Sequence, residues 1–377
     1  MAPPAAISQL NLKLGRAKRR MTSVSAVKIS KRMGSRISIA MGLFYQEMRP
    51  FPGFLMYNRA NSPKEDSPMP RYKIIVNPVS GRGLAGKSIP LIENYLHGHG
   101  LDFDLVLTER PWHAADLAEQ AAKDGYDVVV AASGDGTANE VLNGLMRARA
   151  QGADKTAMSI LTVGTGNDFA YGMGVPLDLE VGCRALAEDY RRRVDVGLLR
   201  GGDYPDGRYF GNGVGIGFDA EAGFVAAKIR WTTGLLLYLV AAIETIFIYF
   251  KAPKVRIVYD GLILEQASLM VSIMNGMRMG GGFYFAPKGD PCDGHFDLCI
   301  AETAGKLRVF QLIPYFMKGT QATQPEVKTG QARKVTVSAL QGTLPVHCDG
   351  ETVCYAGSEL TIELLPGQIE FICQKPV

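Results

Sequence analysis

The stretch that most constrains this chain is Asp127–Ala132 (DVVVAA), which runs directly into Ser133-Gly-Asp-Gly-Thr-Ala-Asn-Glu140. A short β-branched run bounded by turn residues predicts a buried strand, and the helical pattern from Ala138 to about Arg149 makes the whole a strand–loop–helix unit. The same grammar repeats on either side. Tyr72–Asn77 ends at Pro78 and precedes helical spacing over Lys87–His97. Phe103–Leu107 precedes an Ala-rich helix at His113–Lys123, and Ser159–Val163 precedes a helix starting near Asn167. Such alternation predicts an α/β fold, with a mainly parallel sheet covered on both faces. After about Asp195 the alternation stops. Strands are expected at Tyr209–Gly217, Val255–Tyr259, Leu269–Asn275, Phe296–Ala301, Lys334–Ser338, Leu344–Cys348 and Glu359–Leu364, punctuated by Asp260-Gly261, Asp293-Gly294 and Asp349-Gly350. This predicts a second, mainly antiparallel β domain. The boundaries are 1–70 for an N-terminal extension, 71–197 for the α/β domain and 198–377 for the β-rich domain, whose last strand is free to return to the first.

Charge is unevenly spread along the 377 residues. Residues 1–70 hold 12 Lys/Arg against Glu47, Glu65 and Asp66, a net +9; the rest holds 29 basic and 34 acidic residues, a net −5. A basic arm before a mildly acidic body argues against a nucleic-acid binder. The arm has three readings: a contact with anionic lipid, a targeting peptide, or an unstructured extension. Met69, directly before the first strand, favours the last. Residues 1–30 lack the apolar core of a secretory signal, so the six cysteines, with no C-x-x-C pair, read as reduced thiols of a cytoplasmic protein. The five histidines have no zinc spacing. Leu235–Phe250 is too short to span a bilayer and carries Glu244. It reads as a buried or half-buried helix, or else as a surface helix beside a lipid entrance.

Three loops fall where strands end and helices begin, the edge at which open α/β sheets bind ligands. Asn77-Pro-Val-Ser-Gly81 offers small residues and amides for a phosphate, without Walker spacing. In the second loop Gly134 and Gly136 flank Asp135, and a carboxylate among phosphates implies an intervening Mg²⁺. Thr137 and Glu140 have capping-box spacing, which makes the structural reading of Glu140 the stronger one. The third loop, Gly164-Thr-Gly-Asn-Asp-Phe-Ala170, repeats this logic with Thr165 and Asp168.

Taken in order, the NP-x-SG, SGDGT-x-NE and GTGNDFA segments resemble those of bacterial lipid kinases of the diacylglycerol-kinase catalytic family. Sphingosine and ceramide kinases share that family, and NAD kinases are more distant relatives. The resemblance spans Tyr72 to about Cys373. It implies an active site in the cleft between the domains and an ATP site built from Asn77, Pro78, Ser80, Gly81, Thr108, Gly134, Asp135, Gly136, Thr137, Asn139, Glu140 and Thr165. It implies a water-linked Mg²⁺ network on Asp135, Asp168 and Asp195. It puts the general base in the Asp349-Gly350-Glu351 turn, on Glu351 with Asp349 as rival or partner. Without the resemblance that turn is an ordinary hairpin.

The expectation is therefore an ATP- and Mg²⁺-dependent lipid kinase acting at a membrane surface. Diacylglycerol is the first acceptor, and ceramide or a sphingoid base the next. A soluble kinase of NAD type and a non-catalytic nucleotide-binding protein are the rivals. One departure stands out. Where family members often hold a structural Mg²⁺ with an aspartate, this chain has Lys288, whose ammonium is expected to replace the ion; Asp290 nearby is the remaining candidate ligand.

Overall fold

The computed structural model describes residues 69–376, apart from Thr165 and Phe250. The basic arm at 1–68 and the Thr165 site expectation thus lie outside the described residues. Four parallel strands, β1 (Arg71–Val76), β2 (Asp102–Leu107), β3 (Val128–Ser133) and β4 (Ala157–Thr162), align in the order β2-β1-β3-β4. Their helices are α1 (Ser80–Gly98), α2 (His113–Lys123), α3 (Asp135–Ala150), α4 (Asp168–Gly172) and α5 (Leu179–Glu188). Every residue of β3 and β4 is buried, because helices cover both faces. Ala118, Ala121, Leu142 and Leu145 of α2 and α3 pack on one side. Ile92, Leu96, Cys183 and Leu186 of α1 and α5 pack on the other. The alanine richness of α2 has a use here: a Cβ on Gly144 of α3 would lie 2.1 Å from the Ala115 carbonyl oxygen, so the two helices run almost backbone to backbone.

The second half is mainly antiparallel. It contains β5 (Arg191–Gly201), β6 (Tyr204–Phe210), β7 (Gly213–Gly217), α6 (Phe218–Ala226), α7 (Gly234–Glu244), β8 (Lys254–Tyr259) and β9 (Leu262–Met274). Short β10 (Arg278–Met279) and β11 (Phe283–Tyr284) precede β12 (Phe296–Glu302), α8 (Lys306–Lys318), β13 (Val327–Ala332), β14 (Lys334–Gln341), β15 (Leu344–Cys348), β16 (Glu351–Gly357) and β17 (Glu359–Ile372). Val214, Ile216, Val255, Ile257, Ile273 and Val346 fill its core. The 14-residue β17 joins the halves. It pairs antiparallel with β14 and β5, and its end reaches β4 in parallel at Phe371↔Met158.

Sequence and structure differ in places. The expected strand Tyr209–Gly217 breaks at Gly211-Asn212, because the amides of Gly211, Asn212 and Gly213 turn toward the Asp349 carboxylate. Strands β5, β13 and β16 and helix α5 were not foreseen; the charged opening Arg191-Arg-Arg hides the apolar run of β5. Helix α3 starts at Asp135 rather than Ala138, so the Asp-Gly-Thr of the second loop forms its first turn. The segment expected as one helix over Leu235–Phe250 is α7 followed by a π-helical turn at Thr245–Tyr249, with most of α7 half-buried. Among the described residues no helix is long and apolar enough to cross a membrane.

Candidate active site

The order β2-β1-β3-β4 reverses direction between β1 and β3, which is where an open sheet leaves a crevice at its carboxyl edge. All three glycine loops meet there. The Ser80 hydroxyl accepts from the Gly134 amide at 3.1 Å, and the Asn77 side chain donates to Thr137 Oγ1 at 2.9 Å. A Cβ on Gly81 would lie 2.5 Å from Val163 O, and one on Gly164 would lie 2.3 Å from Gly134 Cα. Residues 81–83 take left-handed backbone angles in succession before α1 becomes regular. The Pro78 carbonyl accepts from the Gly86 amide, and Thr108 N donates to Val76 O at the same edge. The result is a cradle of backbone amides and hydroxyls at the start of α3, whose helix dipole favours an anion.

Two carboxylates lie in this cradle. Asp135 accepts from the amides of Asp168 (3.1 Å) and Phe169 (3.0 Å). Asp168, 4% exposed, pairs with Arg278 at 2.9 Å and accepts from the Gly281 amide at 2.6 Å. Burial, then the neighbouring Asp168 charge, pushes the Asp135 carboxyl up to about 7. Burial pushes Asp168 up to about 6 against the pull of Arg278. When both carboxylates are ionised, the one guanidinium leaves a negative charge uncompensated.

The third element comes from the β domain. Asp349-Gly350 joins β15 to β16 with both residues at positive φ (46° and 83°), the geometry of a two-residue type I′ hairpin. Glu351 follows, exposed, with its carboxylate over the second loop: a Cβ on Gly136 would lie 2.3 Å from Glu351 Oε1. Glycine at 136 is what allows that approach.

An apolar cavity of about 250 Å³ reaches this point. Asp135, Asp168 and Gly350 stand among its lining residues, beside Phe218, Leu237, Tyr238, Met270, Phe283 and Phe316. Burial and then the charges of Asp168, Asp135 and Glu351 push the Tyr238 phenol up, which places α7 within the field of the carboxylates.

Comparison with known proteins agrees with this geometry. Residues 71–199 match the diacylglycerol kinase catalytic domain, and residues 212–373 match the YegS C-terminal NAD kinase beta sandwich-like domain. The chain carries, over residues 71–199, a domain of the diacylglycerol-kinase catalytic family. It is therefore a lipid kinase, a phosphotransferase with an alcohol group as acceptor. Diacylglycerol kinase of Staphylococcus haemolyticus is 28% identical over 280 residues, covering 74% of this chain and 81% of that one. Diacylglycerol kinase of Staphylococcus aureus is 28% identical over 282 residues, covering 74% and 86%. A crystal structure of a putative diacylglycerol kinase from Bacillus anthracis shares the fold, with a TM-score of 0.65 at 23% identity over 82% of this chain and 99% of that one.

The kinase corrects several residue assignments. Asp349 is no proton acceptor. It is 2% exposed, and its oxygens take four hydrogen bonds at 2.8–3.0 Å, from the Gly211, Asn212 and Gly213 amides and from Asn139 Nδ2. It anchors the hairpin that carries Glu351. The side chain of Asn139, fully buried, is engaged within the protein: it bridges Asp349, Tyr209 O and the Arg208 guanidinium between the lobes. Glu140 does not cap its own helix. It accepts from the Ala114 amide at 3.2 Å and so holds the start of α2. Asp195 is not part of the Asp135–Asp168 pair. Its oxygens accept from the Gly294 and Gly367 amides, and its nearest acids are Asp293 and Asp290. Among the described residues no three His, Cys, Asp or Glu side chains are grouped to hold one ion. Lys288 is exposed, and the charge beside Asp290 is instead Arg192, at 2.6 Å; the Phe285 carbonyl accepts from Gln321.

Sequence reasoning missed Arg208, Arg278 and Tyr238, which come from distant segments with no motif around them. Arg208 lies 4.9 Å from both the Trp112 and Tyr204 ring centres, and Arg278 lies 3.5 Å from that of Tyr171. The anchor role of Asp349 is testable. Asp349→Ala would strand three backbone amides, each costing about 1–3 kcal/mol when buried and unpaired. A loss of at least about 3 kcal/mol is expected in a denaturant melt. Asp349→Asn, which tolerates the left-handed backbone but turns one acceptor oxygen into an NH2 facing two donors, is expected to recover only part of that loss.

Proposed function

We propose that this kinase transfers the γ-phosphoryl group of ATP to the free hydroxyl of diacylglycerol at a membrane surface, with Mg²⁺ as the divalent ion. The observation that carries the reading is the apolar cavity running from the Asp135–Asp168 pair between α6, α7 and α8, suited to acyl chains rather than to a soluble nucleotide. The amide cradle at residues 77–81 and 134–137 would hold the polyphosphate. Glu351 takes the proton of the lipid hydroxyl as its oxygen bonds to phosphorus and the bond to the ADP oxygen breaks.

The residues fit a hydrated Mg²⁺ at Asp135. Each of its oxygens keeps an acceptor site beyond one amide, the charge there is uncompensated, and Asn167 Oδ1 in the adjoining loop is buried without a donor. Such an ion would neutralise charge on the transferring phosphoryl group. Asp168, its side chain already bonded to Arg278 and Gly281, aligns Asp135 through its backbone amide rather than supplying a free ligand.

A surface setting is supported by Phe247, Ile248 and Leu307, exposed at 62%, 64% and 73% beside the cavity helices. Lys306 Nζ donates to Phe247 O at 3.0 Å and draws these residues together. A second reading, a long-chain base as acceptor, is favoured by Asp219, a carboxylate among the apolar lining residues.

The test is radiolabel transfer from ATP in mixed micelles with Mg²⁺, offering diacylglycerol, monoacylglycerol, ceramide, sphingosine and NAD. Phosphorylated diacylglycerol is the expected product. Transfer to sphingosine or ceramide alone would replace the acceptor, and transfer to NAD alone would overturn the reading.

A further inference from the structure

The polar residues of the cavity lining are Asp135, Asp168, Asp349 and Asn212 about the phosphoryl-transfer site, the Tyr238 phenol, and one further pair, Asp219 and His347. His347 lies on β15, two residues before Asp349, and pairs across the sheet with Gly215 of β7. Gly215 leaves room for both side chains. The Cβ position it lacks lies 2.2 Å from His347 Nε2 and 2.4 Å from Asp219 Oδ2, so the two polar atoms converge on one spot.

Their situations differ. Asp219 is satisfied within the protein, since its oxygens accept from Ser272 Oγ at 2.7 Å and from the Ala220 amide at 2.9 Å. His347 is not. It is 9% exposed, and its Nε2 is buried without a hydrogen-bond partner. Burial pushes its pKa down to about 4, so the ring is neutral and carries one N–H. The carboxylate oxygen at the same spot favours that proton on Nε2. A donor left unpaired in an apolar cavity forfeits its whole hydration, so native sites keep one only for a ligand or a water. Burial pushes the Asp219 carboxyl up to about 7; when it is ionised a negative group is repelled there, while a neutral oxygen is accepted in either state.

We propose that His347 is a specificity residue, whose Nε2–H donates to an ester carbonyl oxygen of the lipid bound in the cavity. The inference rests on diacylglycerol as the acceptor. Two residues of strand separate His347 from the Asp349 turn by about 7 Å. That is the scale of the few bonds between the free hydroxyl of a diacylglycerol and its ester carbonyls. The imidazole would thus hold the backbone of the lipid in register while its hydroxyl faces Glu351.

The experiment compares a diacylglycerol with its dialkyl-ether analogue of equal chain length, which keeps the hydroxyl and the chains but has no carbonyl. A long-chain base is run alongside, in mixed micelles with the full chain. The wild type is expected to favour the ester by about tenfold or more in kcat/KM, the worth of one good hydrogen bond. His347→Phe is expected to bring the ratio to about one while ether turnover stays within about threefold, and His347→Gln, which keeps an N–H, to restore part of the preference. Equal use of ester and ether by the wild type overturns the inference whatever the variants do. An unchanged preference in a folded His347→Phe protein overturns it as well. Phosphorylation of the long-chain base alone removes the diacylglycerol reading and this inference with it. Use of diacylglycerol without ester preference removes only the inference.

Discussion

Glu351→Gln is expected to lower kcat by about 10²–10⁴, the usual worth of a positioned general base, with KM for ATP nearly unchanged. The substitution keeps the shape of the side chain and its place over Gly136, but an amide cannot take the hydroxyl proton. Glu351 is exposed, while the turn that carries it is fastened by the four hydrogen bonds of Asp349, so the fold should tolerate the change. Steady-state kinetics in lipid micelles, with a thermal melt as control for folding, check this. Near-normal turnover in a folded variant would remove Glu351 from the proton-transfer step.

Asp135→Asn is expected to lower kcat by about 10³, in line with losing a main electrostatic contact to the transferring group. The effect on stability has the opposite sense. The folded-state pKa of Asp135, about 7, is raised by burial and by the Asp168 charge above its ordinary value of 3.8. With divalent ions chelated, its contribution to stability is then greatest below about pH 4 and is lost as pH rises toward 7. Removing the charge should leave the melting temperature at pH 8 unchanged or higher. Mg²⁺ should raise the melting temperature of the wild type, by preferential binding to the folded state, and do less for the variant. An equal Mg²⁺ increment in both proteins would move the ion away from Asp135.

Much of the fold was legible because its signals are local. The β-branched run at 127–132, the Ala-rich helix at 113–123 and the Asp-Gly turns act within a few residues, and they were read close to where they lie. The three loops were legible for the same reason, since each sits at a strand end and an open sheet gathers its strand ends on one edge. Asp135 and Glu351 lie together at these loops, as the motifs lead one to expect.

Other roles depended on contacts no spacing encodes. Asp349 and Glu351 are two residues apart, yet one faces three amides and Asn139 while the other faces Gly136. Asn139 and Glu140 stand in the same motif as Asp135, but the helix turns them toward the β lobe and toward α2. Asp195 reads as a third metal ligand from spacing, but the fold sets it beside Asp293 and Asp290 rather than with the Asp135–Asp168 pair. The sequence alone determined the two-domain α/β architecture and the glycine loops at the strand ends, because hydrophobic period and turn chemistry are properties of short segments. Only the tertiary structure decided which carboxylates face the cleft and where the apolar cavity lies. The burial and hydrogen-bond partners of a side chain are set by residues that approach it from across the chain.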